Sequence, residues 1–380
     1  MKFLYLCIVP ILVVGCTMRD SDVVIQPDES MAHVVNVPNV EDSVCLRYSK
    51  FVSKTEYVVL EQVNDYQLSS ITKLEIARDN SLIVFDDLNK QLLRFDENGK
   101  FLNSIGEHGH GHGEFVDPSD ISYNPATNQI YVIDNANCHV LVYDINGKLC
   151  GSKSAFCKFG SIGCINSGEY CIYTPYNSEP LSSSQGYNLS IYNDSSMLIA
   201  QYDQFTPAVQ KVFGTSPHTF DRNNDTGNVI YHAPSSDCIF EISRDSFILR
   251  YKIVYQDPNW CCGNSDQRRA ILDKEDCVDC HDVMYSDRYL FLSVDLKHHL
   301  YSVVYDNIHH TLHAGIGMWN DVETNGLSSI FIKCYKNKLY GYIDADYVRR
   351  RIESGDAIHI PGFHPNFSYN PIIQICTLKE

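Results

Sequence analysis

The amino-acid sequence predicts an all-β fold: a six-bladed β-propeller of four-stranded antiparallel blades, with seven blades as the alternative count. The first observation behind this prediction is an internal repeat, because residues 81–100 are matched 48 positions later by residues 129–148. The second is that both copies consist of short runs in which apolar and polar residues alternate, without a helical period. A repeat of this length made of strand-like runs is typical of propeller blades.

The first blade is the clearest, and the same turn residues occur in both copies of the repeat. An Asn-Gly pair ends at Gly99 in the first copy and at Gly147 in the second. Such pairs predict type I′ hairpin turns, in which both central residues have positive φ. Asp86 and Asp134 close the second strand of each copy, and we interpret them as structural residues that hydrogen-bond the backbone of the turn. The strands of the first blade are predicted at 72–77, 81–85, 91–96 and 101–105.

The later blades keep the spacing of strand-like runs in the repeat but not its residue identities. One apolar run near the N-terminus, Tyr57 to Leu60, has no partner strands beside it in the sequence. We expect this run to complete the last blade, because a blade built from both termini removes the open edge of the ring. Strand-like runs that predict the third to sixth blades occupy 187–199, 238–249, 289–306 and 328–378.

The N-terminus predicts export and lipidation. Residues 1–15 form a signal peptide with an apolar run of about 12 residues, which is too short to span a bilayer. Cys16 follows a small residue, as in the lipobox of bacterial lipoproteins, and is the expected lipidation site that anchors the chain in the membrane. Residues 16–41 are polar and predict a flexible tether, and residues 42–380 predict the propeller domain.

The charge balance excludes one class of partner. The chain has 47 acidic and 30 basic residues and a formal net charge of −17. A nucleic-acid site needs a basic surface, so we expect no nucleic-acid partner. The expected partners are the membrane, through the lipid anchor, and a protein, peptide or glycan ligand. The chain is expected to be a monomer.

Two groups of motifs resemble known families. Residues 105–118 and the strand that follows them resemble an NHL repeat, through Ile105, Gly106, Gly109, Gly111, Gly113, Phe115 and Pro118. More broadly, residues 56–61 and 370–373 resemble the six-bladed β-propeller lipoproteins of gut Gram-negative bacteria. This resemblance implies the fold and a lipid-anchored position in the cell envelope, in the outer membrane and facing the periplasm or the outside. It implies no reaction.

A loop in which histidine alternates with glycine is the first candidate site. It contains His108, His110, His112 and Glu114. In NHL propellers the corresponding loop crosses the face where the channel opens, so these side chains are expected to contact a ligand. Metal binding is one alternative. The other is that the loop requires its glycines and that histidine occupies positions where many residue types are accepted.

A cysteine-rich insertion before the fifth blade is the second candidate. Cys277, Cys280 and His281 match the pattern that attaches c-type haem. The same residues with Cys261 or Cys262 could instead bind zinc, so the three form a weak metal-site candidate. A disulfide among Cys261, Cys262, Cys277 and Cys280 is the simpler expectation in an exported protein. No cofactor is firmly predicted.

The sequence favours a binding protein over an enzyme. It contains no nucleophile elbow, zinc-protease or phosphate-loop motif in a supporting context. We therefore expect a lipid-anchored binding or scaffolding module for a glycan, peptide or protein partner. Its site is expected on the face where the loops 106–118 and 256–282 project. The alternative is a metal-dependent lyase or hydrolase with its site at the channel mouth.

Overall fold

The computed structural model describes most of the predicted propeller. The predicted signal peptide 1–15, Cys16 and Cys277 lie outside the described residues. The described residues are 24–38, 45–63, 68–154, 160–166, 168–175, 186–206, 216, 218–255, 257, 259–272, 278–296, 299–323, 326–366 and 370–380.

Strands are numbered in chain order, and the N-terminal part contributes the first three. These are β1 (His33–Val37), β2 (Leu46–Arg47) and β3 (Val52–Val59). Blades one to three then follow as three sets of four consecutive strands. Blade one consists of β4 (Lys73–Ile76), β5 (Leu82–Asp86), β6 (Gln91–Phe95) and β7 (Phe101–Ser104). Blade two consists of β8 (Pro118–Asn124), β9 (Gln129–Asp134), β10 (His139–Asp144) and β11 (Leu149–Ser154). Blade three consists of β12 (Ser161–Cys164), β13 (Tyr170–Tyr173), β14 (Tyr187–Tyr192) and β15 (Leu198–Gln204).

The second half of the chain forms the other three blades. Blade four contains β16 (Phe220–Arg222), β17 (Val229–Tyr231), β18 (Cys238–Ile242) and β19 (Phe247–Tyr255). Blade five contains β20 (Val278–Tyr285), β21 (Tyr289–Leu296), β22 (His299–Asp306) and β23 (Thr311–Ile316). The short strand β24 (Met318–Trp319) pairs with β2. Blade six contains β25 (Ile330–Tyr335), β26 (Lys338–Ile343), β27 (Ile372–Leu378) and, from the N-terminal part, β3.

These six sheets form a closed propeller, as predicted. The first strands of successive blades contact one another in a ring that runs β4, β8, β12, β16, β20, β25 and back to β4. The ring closes as the unpaired N-terminal run predicts, because β3 pairs antiparallel with β27 from the C-terminus. Each connection between blades leaves a fourth strand and enters the next first strand, so these connections share one face of the ring with the turns between second and third strands.

A separate hydrophobic core fills each interface between blades. Between blades one and two, for example, Ile83 and Leu92 pack with Ile130 and Tyr143, and all four are almost fully buried. Alternation along each strand places such residues on the faces that meet the neighbouring blades. Because each blade packs mainly on its two neighbours, the ring is held together by six cores of this kind.

Aspartates at the ends of second strands have the structural role that the sequence predicts, and one role beyond it. Asp86 accepts hydrogen bonds from the backbone of Leu88 at 3.0 Å and from that of Ser69 at 2.6 Å. Asp134 likewise accepts from the backbone of Asp117 at 2.8 Å. Ser69 and Asp117 precede the first strands of their blades. Each aspartate therefore ties its own turn to the connection that enters the blade.

The Asn-Gly turns differ from the prediction. Positive φ occurs at Gly99 (86°) and Gly147 (85°), but not at the asparagine before either glycine. The backbone of Gly99 donates to the carbonyl oxygen of Asp96, and the ladder shifts register beside Phe95. These features describe a turn followed by a glycine bulge rather than type I′. Glycine is also required sterically, because a Cβ at Gly99 would collide with the carbonyl oxygen of Val59 in the preceding blade.

The predicted flexible tether is partly a strand. Within residues 16–41, β1 pairs in parallel with β19 and makes blade four five-stranded. Val35 is fully buried in the core between blades four and five, whereas Val34 is 54% exposed. The run 33–37 is only five residues long and is followed directly by Pro38, so the sequence does not mark it as a strand. The propeller domain therefore begins before residue 42.

In the described part of the chain, two α-helices interrupt the strands. Helix α1 (Ser265–Leu272) lies in the connection to blade five, and α2 (Ala345–Glu353) lies between β26 and β27. Asp344 caps α2 by accepting a hydrogen bond from the backbone of Tyr347 at 2.7 Å, and Val348 is fully buried. In the part of the chain that the structure describes, neither helix has the length and apolar character needed to cross a membrane.

Candidate functional site

The centre of the ring is filled by charged side chains in pairs. On the first strands of blades one and two, the Nζ atom of Lys73 lies 2.7 Å from Oδ1 of Asp120, and both side chains are buried. The other carboxylate oxygen of Asp120 accepts a hydrogen bond from the backbone of Ile162 in blade three. Burial raises the pKa of Asp120, and the charge of Lys73 offsets only part of this effect.

A second group of charges joins blades six, one and four. Lys333 lies 3.0 Å from Asp221 and 3.1 Å from Glu75. Burial acts to lower the pKa of Lys333, but the two carboxylates outweigh burial and raise it. The space beside these three residues is about 10 Å³, which is near the minimum for one water molecule. This space is too small for a ligand larger than water.

A histidine and a serine share one aspartate near the channel. His218 Nδ1 lies 3.4 Å from Asp282, and its Nε2 atom lies 3.1 Å from the carbonyl oxygen of Ile332. The hydroxyl of Ser216 also donates to Asp282. Both side chains are thus directed at the carboxylate, whereas a catalytic serine must donate to the histidine. The group therefore has the geometry of a structural contact between blades four, five and six.

The histidine-glycine loop lies at the surface. His108, His110 and His112 are exposed, and His108 forms a backbone bridge with Phe115. Glu114 accepts a hydrogen bond from the backbone of Gly111 at 2.7 Å, within the loop itself. Across the described ranges, no three histidine, cysteine, aspartate or glutamate side chains are grouped so that they could hold a metal ion. Ligand binding by this loop stays a prediction.

The described cysteines of the insertion differ in exposure. Cys261 and Cys280 are buried, Cys262 is exposed, and the thiols of Cys262 and Cys280 are free. The thiol of Cys261 donates to the carbonyl oxygen of Arg268, and that of Cys280 to the carbonyl oxygen of Asp282. Burial raises the pKa of Cys280 well above its usual value. Because Cys277 lies outside the described residues, the haem, zinc and disulfide predictions that involve it are not decided.

A cleft opens between blades three and four, on the face that carries the blade connections. Its volume is about 710 Å³, within the range of small-molecule binding sites. We call it the blade 3/4 cleft. Its walls come from β14, the end of β15, the turn between β17 and β18, residues 24–26 and the loop that begins α1. Part of the insertion 256–282 thus contributes to the cleft.

An ion pair fixes one side of the blade 3/4 cleft. Arg268 on α1 donates to both carboxylate oxygens of Asp203, at 3.0 and 2.8 Å, and its side chain is 6% exposed. Asp203 also accepts from the amide of Asn188 at 3.0 Å. Its φ of 62° is in the left-handed region, which non-glycine residues rarely adopt. The pair therefore fastens α1 to blade three at a strained position of the backbone.

Aromatic rings form the floor of the cleft. Tyr231 stacks between Phe220 and Phe240, with ring centroids 5.4 and 6.1 Å away, and Tyr202 meets Phe240 edge-on at 5.1 Å. Tyr231 lines the cleft and is only 1% exposed. Its hydroxyl has no hydrogen-bond partner within the described part of the chain. Burial, together with the charge of Asp203, raises its pKa well above the usual value.

A buried carboxylate faces the same space. Asp237, in the turn between β17 and β18, is 2% exposed and lines the cleft. Within the described ranges, its side chain accepts a hydrogen bond only from the thiol of Cys238, at 3.3 Å. Burial and the neighbouring carboxylate raise the pKa of Cys238 to about 12, so the thiol keeps its proton. A thiol is a weak donor, and most of the acceptor capacity of Asp237 is therefore unused.

Sequence reasoning did not find this cleft. Its residues come from the N-terminal segment, blade three, blade four and the insertion, and none belongs to a local motif. The one useful signal was the length of the insertion 256–282, which interrupts the regular spacing of the predicted blades. Tyr231 and Asp237 look like ordinary strand and turn residues until the two blades are packed together.

Comparisons with known proteins agree with this fold. Residues 32–377 match a family described as "Domain of unknown function (DUF4934)". No curated protein matches the sequence. A "Putative exported protein" from Bacteroides fragilis NCTC 9343 is 15% identical over 92% of this chain and 100% of its own, with a TM-score of 0.71. A member of the DUF4221 family from Bacteroides vulgatus ATCC 8482 is 11% identical over 86% of this chain and 97% of its own, with a TM-score of 0.53.

Proposed function

The chain belongs to the DUF4934 family, and we propose that this member is a binding module of the bacterial cell envelope whose ligand occupies the blade 3/4 cleft. The ligand is a glycan, a peptide or a segment of a protein partner. The observation that carries the proposal is the buried, unpartnered hydroxyl of Tyr231, among the described residues, on the floor of a cleft of about 710 Å³.

Physical chemistry supports a ligand at this position. A buried polar group without a partner costs about 1 to 3 kcal/mol, and a hydrogen bond from a ligand would remove this cost. The cleft combines aromatic surface with a few polar groups, which is the usual composition of a binding site. A ligand that hydrogen-bonds Tyr231 and Asp237 would recover the lost hydration of both groups.

The geometry favours binding over the metal-dependent lyase or hydrolase. That alternative needs donors from several blades around a metal at the channel mouth. In the described part of the chain no such group occurs, and the carboxylates of Asp120 and Asp221 are held by Lys73 and Lys333. Among the described residues, neither the hydroxyl of Tyr231 nor the carboxylate of Asp237 is paired with a base that could activate it.

The proposed location is the outer membrane of a Gram-negative bacterium, with Cys16 as the lipid anchor and the propeller facing the periplasm or the outside. The apolar N-terminal run before Cys16 supports this location. The name of the Bacteroides fragilis structure, an exported protein of the same fold, is consistent with it. Metabolic labelling of cells with an alkyne fatty acid tests the anchor: a Cys16→Ser variant should lose the label and leave the membrane fraction.

The binding role is tested by blocking the cleft. Gln204 is exposed at the rim, so Gln204→Trp should obstruct the entrance without disturbing a core. Glu97→Trp places the same ring on an exposed turn of blade one and serves as the matched control. On peptide and glycan arrays the wild type and Glu97→Trp should retain the same ligands, and Gln204→Trp should lose them. Arrays on which the wild type retains nothing, or on which Gln204→Trp binds normally, would contradict the proposal.

A further inference from the structure

We infer that the blade 3/4 cleft receives a cationic group, the ammonium or guanidinium of a basic side chain on a peptide, with Asp237 as its counter-ion and Tyr231 beside it. This inference rests on the proposed function and narrows its ligand class.

The first argument is the state of Asp237. A buried carboxylate is costly unless it is paired with a cation or accepts several hydrogen bonds. Asp237 is 2% exposed, and its one donor within the described ranges is the thiol of Cys238. An ammonium or guanidinium group would supply both charge and donors at a position where the described residues place no cation.

The second argument is the charge balance of the cleft walls. Three carboxylates line the cleft, those of Asp203, Asp237 and Asp266, against the two cations Arg268 and Lys252. Arg268 is held by Asp203, so one carboxylate is neutralised within the fold. Asp266 accepts hydrogen bonds from the backbone and hydroxyl of Thr206. This leaves Asp237 as the buried charge without a matching donor among the described walls.

Lys252 is the cation that could compete with the ligand. It is exposed on β19 and forms no ion pair in the part of the chain that the structure describes. If the ligand is cationic, Lys252 repels it, and removal of this charge should strengthen binding. If Lys252 were the natural partner of Asp237, the same change would leave Asp237 without a counter-ion and would destabilise the fold.

The cleft also has aromatic walls. Tyr202 and Tyr187 are half-buried in it, whereas Phe220 and Phe240 cover the two faces of Tyr231, which contributes its hydroxyl group instead. Aromatic faces attract cations, and the attraction grows when water is excluded. The hydroxyl oxygen of Tyr231, which has no partner among the described residues, adds a further acceptor to the cleft that Asp237 also lines. The net charge of −17 would also steer basic ligands to the protein and repel acidic ones.

The test is calorimetric titration of the purified full-length chain with three probes. Deca-L-lysine carries the cation, fully Nε-acetylated deca-L-lysine has the same backbone without the charges, and maltohexaose represents a neutral glycan. Decalysine should bind, and the acetylated peptide should bind at least about tenfold more weakly, a loss of about 1.4 kcal/mol in binding free energy. Maltohexaose should not bind.

Variants locate the interaction. Asp237→Asn should weaken decalysine binding by about tenfold, whereas Glu97→Gln, which removes the same charge at an exposed turn of blade one, should change it less than about twofold. Lys252→Gln should strengthen it. Tyr231→Phe removes only the hydroxyl, which has no partner among the described residues, so it should fold normally and weaken binding by about threefold. Melting curves of all variants serve as the folding control.

The outcomes separate this inference from the proposed function. Equal binding of both peptides would overturn the inference that the ligand is cationic. Equal losses of decalysine affinity in Asp237→Asn and Glu97→Gln would overturn it as well. Binding of maltohexaose that Gln204→Trp abolishes would overturn it too, but would support the cleft as a binding site. If no probe binds and the arrays also retain nothing, both proposals fail together.

Discussion

Lys73 and Asp120 are joined by a buried ion pair of 2.7 Å, although they lie 47 positions apart on the first strands of two blades. The separation is one residue less than the 48-residue repeat, so the pair links equivalent places in neighbouring blades. The wall of the channel is therefore held by charges, whereas the interfaces farther out are held by hydrophobic cores.

Removing one partner of this pair should destabilise the fold strongly. Lys73→Met leaves the carboxylate of Asp120 buried without its cation, which should lower the free energy of unfolding by about 3 to 5 kcal/mol. Urea unfolding at neutral pH measures the loss. The double variant Lys73→Met/Asp120→Asn removes both charges and keeps an acceptor for the backbone of Ile162, so it should recover at least about 1 kcal/mol. A double variant less stable than Lys73→Met would contradict this account.

The N-terminal strand should contribute to stability. Val35 is fully buried against blade four and Val34 is exposed, so Val35→Ala should cost about 2 kcal/mol. Val34→Ala is the matched control and should stay within about 0.5 kcal/mol of the wild type. Thermal and urea unfolding compare the two. Equal, small effects would show that these residues behave as the flexible tether that the sequence predicts.

Glycine should be required at the bulged turns and not elsewhere in the strands. Gly99 has a φ of 86° and its missing Cβ makes room for Val59. Gly99→Ala should therefore cost at least about 1 to 2 kcal/mol. A Cβ added at Gly151, in β11, would meet no atom within 4 Å, and φ there is not positive, so Gly151→Ala should be neutral or slightly stabilising. The order of the two melting temperatures is the measurement, and a reversed order would refute the steric argument.

His218 should make stability depend on pH. Burial acts to lower its pKa, but Asp282, the carbonyl oxygen of Ile332 and Asp221 outweigh burial and raise it above 6.5. A raised pKa means that the stabilisation is fully present below the unfolded pKa of about 6.5 and is lost as pH rises through the folded pKa. The stability difference between the wild type and His218→Gln should therefore be larger at about pH 6 than at about pH 9. A difference that does not change with pH would rule out this contact.

Much of the fold could be predicted because its signals are local. The repeat in the sequence is also a repeat in the backbone: positive φ occurs at Asn80 and Asn128, and again at Lys90 and Cys138, each pair 48 residues apart. Turn residues must meet their own φ and hydrogen-bond requirements whatever the rest of the chain does. The finer predictions failed where a second blade takes part, as at Gly99, whose turn type is set together with Val59.

The candidate sites named from motifs and the site found in the structure differ for the same reason. The sequence shows a clear pattern at His108, His110 and His112, yet the structure places all three in solvent on one loop. Tyr231 and Asp237 form no pattern with Arg268, because they reach the cleft from different turns and strands. Only the packing of blade three on blade four makes them neighbours.

The sequence by itself determined the all-β class, the six blades, the closure of the ring by an N-terminal strand and the turn role of Asp86 and Asp134. All of these depend on short-range patterns and on the need to leave no open edge. Only the tertiary structure decided that buried ion pairs line the channel and that β1 belongs to blade four. It also decided that a cleft opens beside α1, with a buried carboxylate and a hydroxyl that has no partner among the described residues. Burial and pairing are properties of side chains brought together from distant positions, and no local pattern encodes them.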